Sequence, residues 1–266
     1  HQIVEKPFAA SLAEADAMLA AMAPTGKRMM INWPLAWYPC HRTARRMIDE
    51  GTVGEVIEDQ YYDGNRGPLW HGADKVEKTA EQVAGEKPGS WFYRRAHGGG
   101  SQLDYLGYGT TLGTWFLDGR APLEVTSVVD RPPGLEVDEH SITVVRYAFG
   151  LSKFETRWGT FTDPWTFQPQ PRCGFVLEGT EGTLASYDYQ PVVHMQTRRD
   201  PGGVDVPVDE LAPHLTDPIA NLLHALEHDD EVDGPCTPTI SRIGQQIVDT
   251  AVRSAAEGRT LPLVEA

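Results

Sequence analysis

The feature that most constrains the fold is a series of strand-like segments in the middle of the chain. Several of these segments alternate polar and apolar residues, which is typical of antiparallel strands with one covered face. We therefore expect a large, open, mainly antiparallel sheet in this region. The segments lie within residues 123–200, separated by turns that contain Gly or Pro, and read LEVTSVV, SITVVRYAF, LSKFETRWGTF, RCGFVLEGTEGTLASYD and PVVHMQTR.

The beginning of the chain has a different pattern. Residues 2–4 predict a short buried strand, and residues 28–32 predict a second one. Between them, Ser11 and Glu14 form a capping-box pattern at the start of a helix. A strand, a helix and a strand in this order make a βαβ unit, which implies parallel pairing.

The remaining pattern predicts helices around the central sheet. Residues 41–50 and the segment that ends near Leu117 have helical patterns, and two further helices close the chain. Asp217 is the expected cap of the first closing helix, and Gly258 is the expected end of the second. Residues 63–97 show no clear period, so we expect a long loop there.

Composition excludes several classes of partner. The chain has 266 residues with 40% hydrophobic content, enough for a sizeable core, and its formal net charge of -15 disfavours nucleic acid. No apolar run approaches the roughly 18 residues that cross a membrane. The three cysteines are far apart and form no CxxC pair, so neither a disulfide framework nor a zinc ribbon is expected. A reducing cytoplasm is the expected location.

Lys6 lies at the end of the first predicted strand, in the sequence EKP. Most lysines that follow a strand are surface residues. In open parallel sheets, however, ligands bind beyond the carboxyl ends of the strands. Partial burial at such a position would lower the pKa of Lys6 and suit it to proton transfer.

A second candidate site is the segment GGGSQLDYLGYG. Residues 98–100 are glycines, so a ligand or another backbone can approach closely. Asp104 and Tyr108 are four residues apart and share one face of the predicted helix. A carboxylate and a phenol on one face can hold and deprotonate a hydroxyl group. The alternative is that Asp104 only stabilises the helix dipole from the first turn.

Aromatic and polar side chains near these segments are candidates for substrate binding. Trp33 follows the second predicted strand and is the best candidate to stack on a sugar ring, while Tyr93, Arg94 and His97 are further candidates. Packing in the core or in a loop is an equally good explanation for Tyr93. His224 and His228 are four residues apart, but no H-E-x-x-H motif is present, and no metal site is predicted.

Together these motifs resemble the Gfo/Idh/MocA oxidoreductases, the superfamily of glucose–fructose oxidoreductase and inositol dehydrogenase. The resemblance rests on EKPFA after an apolar strand and on GGG followed by Asp and Tyr. The segments MIDEGTVGEVIE, LEGTEGTL and AVRSAAEGRTLPL are similar to the middle and end of that family. The resemblance implies the C-terminal part of a parallel Rossmann sheet in residues 1–33. An α/β domain in residues 34–266 would follow, with an open, mainly antiparallel sheet flanked by helices.

The resemblance also implies roles for individual residues. Lys6 takes the position between the nicotinamide of NAD or NADP and the substrate, with Glu5 and Pro7 beside the cofactor. Lys6 and Tyr108 would share proton transfer, and Asp104 would orient the hydroxyl group. The family commonly has Gly two residues after the Asp, where this chain has Leu106, with Gly107 one position later.

The sequence contains no G-x-G-x-x-G loop, and the family places EKP near the end of its Rossmann domain. We therefore expect that roughly the first hundred residues of a dinucleotide-binding domain precede this sequence.

The resulting expectation is an NAD(P)-dependent oxidoreductase that acts on a secondary alcohol or ketone of a sugar, inositol or related polyol. It would be a homo-oligomer, dimer or tetramer, that associates through the sheet face. Two alternatives remain open. One is an NAD-dependent glycosidase that uses transient oxidation, and the other is a truncated, non-catalytic binding or assembly relative.

Overall fold

The structure, a computed structural model, describes residues 1–70 and 77–265. It begins with the predicted βαβ unit. The strands β1 (Gln2–Glu5) and β2 (Met29–Asn32) pair in parallel, and the helix α1 (Leu12–Met22) connects them. The parallel arrangement brings the carboxyl ends of β1 and β2 to the same edge.

The helix cap and one of the two strands in this unit agree with the sequence-based prediction. The backbone N–H of Glu14 donates a hydrogen bond to Ser11 Oγ at 3.3 Å, so Ser11 caps α1 as predicted. All four residues of β2 are buried. The prediction that β1 is also buried is wrong, because its ends are exposed and its middle is half-buried. Within the described residues, β1 pairs with β2 alone.

The central feature of the chain is a nine-stranded sheet, as the strand pattern predicted. Its order is β10-β9-β8-β7-β3-β6-β5-β4-β11, and within the described part of this sheet β3 and β6 form the only parallel pair. The strands are β3 (Val56–Asn65), β4 (Glu124–Asp130), β5 (His140–Arg146), β6 (Leu151–Trp158), β7 (Gly174–Gly179), β8 (Gly182–Tyr187), β9 (Val192–Thr197), β10 (Val204–Pro207) and β11 (Leu261–Pro262).

Helices cover one face of this sheet. The core between the helices and the sheet is built from buried apolar side chains such as Leu112, Phe116 and Phe154. No helix in the described part of the chain is both long and apolar enough to span a bilayer. The helices are α2 (Pro39–Asp49), α3 (Ala80–Glu86), α4 (Ser101–Phe116), α5 (Pro218–His228) and α6 (Pro238–Glu257).

The expected long loop over residues 63–97 is partly wrong. β3 continues to Asn65, and α3 begins after Thr79, whose side chain forms a capping box with Gln82. Because little of α3 is buried, its residues are mostly polar and show no apolar helical pattern in the sequence. The sequence analysis therefore missed this short helix. Residues 71–76 of the segment lie outside the described residues.

Glycines let α4 lie unusually close to β3. A Cβ added to Gly113 would lie 2.0 Å from Asp59 Oδ2, and one added to Gly109 would lie 2.3 Å from Tyr61 Cδ1. Near the start of α4, Asn65 donates a hydrogen bond to the hydroxyl group of Tyr105. Therefore α4 runs antiparallel to β3, and Asp63 faces the turn of α4 between Tyr105 and Gly109.

The buried carboxyl group of Asp59 should make stability depend on pH. Neither carboxyl oxygen has a hydrogen-bond partner among the described residues, and burial, aided by the charge of Glu58, raises the pKa of Asp59 well above its usual value. Since the folded state holds this proton more tightly than the unfolded state, stability falls as pH rises above the unfolded pKa.

The Asp59→Asn variant cannot ionise at this position. We expect the melting temperature of the variant minus that of wild type to be several degrees larger at about pH 8 than at about pH 5. Thermal unfolding followed by circular dichroism at both pH values checks this expectation. The exposed Asp130 provides the control variant Asp130→Asn. A difference between Asp59→Asn and wild type that stays constant with pH would contradict the prediction.

Candidate active site

The structure brings together Lys6 and Asp104, which are 98 residues apart in sequence. Lys6 follows β1, and Asp104 lies in the first turn of α4. Lys6 Nζ donates hydrogen bonds to Asp104 Oδ1 at 2.8 Å and to the backbone oxygen of Asp104 at 3.3 Å. The two side chains are only 21% and 14% exposed, so they form a partly desolvated ion pair.

Tyr108 completes the predicted group. Its ring centroid lies 5.0 Å from Lys6 Nζ, one helical turn beyond Asp104. The displaced glycine does not redirect the helix. Leu106 is fully buried, and a Cβ added to Gly107 would lie 2.6 Å from Trp33 Cη2, so the glycine leaves room for the indole ring.

The protonation states differ from the prediction. Burial alone would lower the pKa of Lys6, but the charge of Asp104 and its contact with Tyr108 raise that pKa above its usual value. Lys6 is therefore an ammonium ion at neutral pH. Burial also raises the pKa of Tyr108, although Lys6 opposes the shift, so the phenol is neutral at neutral pH. Asp104 is thus the anionic partner of this group.

Asp63 is a site residue that the sequence analysis missed. Its Oδ2 accepts a hydrogen bond from the hydroxyl group of Tyr61 at 2.9 Å, and it lies on the helix-facing side of β3. The charges of Asp104 and Lys6 act on it directly. Burial, together with the charge of Asp188, raises the pKa of Asp63 to about 7. The available signal was the sequence EDQYYDGN, which places acids on the face of a strand that should be apolar.

Two tyrosines form a wall near this group. Tyr38 and Tyr189 share a hydrogen bond between their hydroxyl groups at 2.9 Å, and their ring centroids are 5.0 Å apart. Tyr189 has a φ of 60°, a left-handed backbone conformation that is uncommon for a residue other than glycine. Sequence reasoning missed this wall because its two residues are distant in sequence.

A buried ion pair between His41 and Asp188 packs against the two tyrosines. His41 Nε2 lies 2.8 Å from Asp188 Oδ1, and its Nδ1 lies 2.7 Å from Ser186 Oγ. Burial would lower the pKa of His41, but Cys40 and Asp188 raise it to about 10, so the imidazole is protonated at neutral pH. The ring of Tyr38 stacks on His41 with centroids 5.9 Å apart. Asp188 also precedes Tyr189, so the same pair positions both tyrosines.

The expected stacking of Trp33 on a substrate is wrong for this structure. The side chain is only 2% exposed, and its Nε1 donates a hydrogen bond to Ser241 Oγ at 3.0 Å. Its ring contacts Tyr108 edge to face, with centroids 5.6 Å apart. Trp33 therefore supports Tyr108 from the core and presents no open face to a ligand.

The other predicted substrate-binding residues lie apart from Lys6. Tyr93 is buried against Trp158, with ring centroids 5.3 Å apart. Arg94 forms an ion pair with Glu136 at 2.7 Å, and His97 is exposed in the following turn. In the contacts that the described residues make, these three side chains do not join the group around Lys6.

Two of the three glycines before α4 accommodate protein atoms, whereas a Cβ added to Gly98 would meet no atom within 4 Å. A Cβ added to Gly99 would lie 2.3 Å from the backbone oxygen of Phe92, and one added to Gly100 would lie 2.6 Å from Asp138 Oδ1. Asp138 accepts hydrogen bonds at the N-terminus of α4 from Ser101 Oγ at 2.7 Å and from the N–H of Gln102 at 2.9 Å. The close approach that the sequence left open is therefore made by the chain itself.

The carboxyl end of β1 is open at the residues predicted to touch the cofactor. Glu5 and Pro7 are exposed on both sides of Lys6, and Glu5 Oε1 accepts a hydrogen bond from Asn32 Nδ2 at 2.7 Å. Near the end of the chain, the rings of His224 and His228 are tilted by 34° with centroids 4.1 Å apart, and no metal-binding group of three ligands occurs among the described residues.

The neutral phenol of Tyr108 leads to a moderate prediction. We expect Tyr108→Phe to lower kcat about 10-fold, which corresponds to one lost hydrogen bond, with little change in melting temperature. Steady-state kinetics and thermal unfolding check both parts. Tyr62, on the opposite face of β3, provides the control variant Tyr62→Phe. Unchanged kcat in Tyr108→Phe would remove the hydroxyl group from the mechanism.

Comparison with known proteins gives a family model and a set of solved structures. Residues 41–185 match the model described as the GFO/IDH/MocA C-terminal domain. Levoglucosan dehydrogenase, solved with NADH and levoglucosan, is similar with a TM-score of 0.77 and 18% identity, over 100% of this chain and 74% of that one.

Two further structures show the same fold. Aldose–aldose oxidoreductase from Caulobacter crescentus, solved with glycerol, has a TM-score of 0.76 and 18% identity over 99% of this chain and 72% of that one. An oxidoreductase from Agrobacterium radiobacter, solved with NAD+, L-tartaric acid and magnesium, has a TM-score of 0.73 and 16% identity over 98% and 72%. At these identities the structures show a shared fold.

Proposed function

The chain belongs to the Gfo/Idh/MocA family of oxidoreductases, and from this membership we propose that it is an NAD(P)-dependent sugar or polyol dehydrogenase. The reaction would interconvert a secondary alcohol and a ketone. One observation carries the proposal, namely the contact of 2.8 Å between Lys6 Nζ and Asp104 Oδ1 at the carboxyl end of β1. Levoglucosan dehydrogenase and aldose–aldose oxidoreductase, which share the fold, support a carbohydrate as the substrate.

In the proposed mechanism, Lys6 and Asp104 both act on the substrate oxygen, Lys6 as a hydrogen-bond donor and Asp104 as a proton acceptor. The Lys6 ammonium donates a hydrogen bond to that oxygen and stabilises the negative charge that develops there. The Asp104 carboxylate orients the hydroxyl group and receives its proton. Tyr108, as a neutral donor, fixes the position of the same oxygen. This assignment differs from the expectation that Lys6 and Tyr108 share proton transfer, and the raised pKa values of both groups support it.

When bound, NAD or NADP supplies the centre that accepts or returns a hydride. Glu5, Lys6 and Pro7 are the proposed contacts of this chain with the nicotinamide, since they surround the open end of β1. We further propose that residues 1–33 form the last part of a dinucleotide-binding domain and that residues 34–266 bind the substrate.

The test measures reduction of the cofactor by the purified protein. Purified enzyme is mixed with NAD or NADP and a panel of aldoses, inositols and linear polyols, and the reduced cofactor is followed by absorbance. We expect reduction with at least one member of the panel. Absence of reduction, together with aglycone release from an aryl glycoside, would instead favour the glycosidase alternative. Absence of both reactions would overturn the proposed function.

We also propose association through the open face of the nine-stranded sheet. Val128, Val144 and Leu151 are 69%, 38% and 52% exposed on this face, and exposed apolar patches mark interaction surfaces. Light scattering at micromolar concentration is expected to show a dimer or tetramer. The Val144→Asp variant should have a lower molar mass in the same measurement. Val204, which is 40% exposed on β10, provides the control Val204→Asp. A monomeric wild type would contradict the proposal.

The proposed location is a reducing cytoplasm. Cys40, Cys173 and Cys236 are all unpaired and buried, which is typical of proteins from reducing compartments.

A further inference from the structure

The charges around the proposed active site do not balance. Lys6 is paired with Asp104 at 2.8 Å, and His41 is paired with Asp188, also at 2.8 Å. Asp63 is close enough to both pairs for the charges of Asp188, Asp104 and Lys6 to act on its pKa, and within the described residues it forms no ion pair of its own. A carboxylate that is withdrawn from water without a cationic partner costs free energy. The rise of its pKa to about 7, caused first by burial, has the direction expected for such a group.

Asp63 lies on the strand that packs against the helix of Asp104 and Tyr108. The antiparallel packing of α4 on β3 places Asp63 opposite the turn that carries Tyr105 and Tyr108. Its charge acts on the pKa of both tyrosines, as well as on that of Tyr189. One carboxyl oxygen accepts the hydrogen bond from Tyr61 at 2.9 Å. Among the described residues, the other side chain within hydrogen-bonding reach is the weakly donating thiol of Cys173, so the carboxyl group keeps acceptor capacity for a ligand.

The tyrosine wall has the chemistry that complements a cation. Tyr38 and Tyr189 present partly exposed rings. Tyr189 is 50% exposed, and its backbone is in the left-handed region. The negative face of an aromatic ring attracts ammonium groups. Lys6 shows this attraction within the site, with its Nζ 5.0 Å from the ring centroid of Tyr108 and 6.0 Å from that of Tyr105. Since Asp104 neutralises Lys6, a second ammonium group near Asp63 is not repelled by a net positive charge.

We propose that Asp63, with the rings of Tyr38 and Tyr189, binds a protonated amino group of the substrate, so that the substrate class is amino sugars or aminocyclitols. This inference rests on the proposed function and narrows it. A neutral polyol would leave the charge of Asp63 uncompensated, whereas an ammonium group supplies the missing partner. The hydroxyl group that reacts would remain at Lys6 and Asp104, and the amino group would bind at a neighbouring position of the same ring.

The experiment compares substrates that differ only in the amino group. The matched pairs are glucosamine with glucose, and 1-amino-1-deoxy-scyllo-inositol with scyllo-inositol. We expect kcat/KM of the wild-type enzyme at about pH 7 to be at least about 10-fold higher for the amine of one pair. Asp63→Asn should remove this preference by lowering the value for the amine about 10-fold or more, with less than about a 3-fold change for the neutral partner.

Two controls keep the inference separate from folding and from the proposed function. Asp130→Asn removes an exposed carboxylate at the end of β4 and should leave the preference unchanged. If Asp63→Asn does not fold, Tyr189→Leu, at a half-exposed position, should weaken the preference about 5-fold.

The outcomes that overturn the inference are distinct. The inference is refuted if both neutral partners are oxidised at least as well as the amines. It is also refuted if Asp63→Asn lowers kcat/KM equally for the amine and its neutral partner. In both cases the proposed dehydrogenase activity stands. If no member of either pair is oxidised, isothermal titration calorimetry with the same compounds decides. Binding of an amine at least about 10-fold tighter than its neutral partner, lost in Asp63→Asn, supports the subsite, and equal binding overturns it.

Discussion

Replacing Lys6 with Ala is expected to lower kcat by about 100-fold or more in the cofactor-binding enzyme. The change removes the ammonium that donates to the substrate oxygen, and it leaves the carboxylate of Asp104 without its partner at 2.8 Å. Because Lys6 is partly exposed and outside the apolar core, the melting temperature should fall by only a few degrees. Steady-state kinetics and thermal unfolding on the same preparation measure both quantities.

Lys87 provides a matched control for this prediction. It forms an ion pair with Glu139 at 2.7 Å, its Nζ lies 5.1 Å from the ring centroid of Tyr93, and its side chain is 26% exposed. It thus reproduces the surroundings of Lys6 away from the site. Lys87→Ala should leave kcat within about 2-fold of wild type. Equal kcat values for Lys6→Ala and wild type would exclude Lys6 from the reaction.

The Gly109→Ala variant is expected to lose at least about 2 kcal/mol of unfolding free energy, since overpacking a tight core commonly costs 1–3 kcal/mol. An added Cβ would lie 2.3 Å from Tyr61 Cδ1 and 2.9 Å from Phe154 Cδ1, and both rings are fully buried. To relieve these contacts, α4 has to move away from β3. Since α4 carries Asp104 and Tyr108, kcat should fall together with stability. Urea unfolding and steady-state kinetics test the two effects.

Gly85, inside α3, is the control for helix propensity. A Cβ added there meets no atom within 4 Å, so Gly85→Ala should stabilise the protein by about 0.5–1 kcal/mol. Opposite signs for the two Gly→Ala variants would show that close packing, and not helix propensity, requires Gly109. A Gly109→Ala variant as stable as wild type would mean that α4 tolerates a wider spacing than the structure shows.

Local signals in the sequence determined much of the fold. Ser11 and Asp217 were predicted as caps, and each accepts hydrogen bonds from the first turn of its helix. Gly258 was predicted to end the last helix, and it has the left-handed φ of 66° that favours glycine there. Such features depend on residues within one or two turns, so the sequence contains them directly. The short helix α3 was missed because few of its side chains are buried, which leaves a weak apolar pattern.

The pairing of Lys6 with Asp104 was also accessible from the sequence. A strand that precedes a βαβ crossover presents its carboxyl end to ligands, and the resemblance to a family placed the helix of Asp104 beside that end. Both arguments concern topology, which the order of the elements and the motifs specify. They do not specify protonation or the orientation of neighbouring side chains.

Only the tertiary structure decided the chemical state and the boundary of the candidate site. The pKa of Tyr108 depends on how completely distant elements withdraw it from water, and burial there outweighs the ammonium of Lys6. Trp33 became a buried support because Gly107 on another element accepts its ring. Asp63 joined the site because glycines along α4 let the helix approach β3, a long-range fit that no local spacing records. Desolvation and close packing are sums over many distant atoms, which is the physical reason that the sequence alone did not determine them.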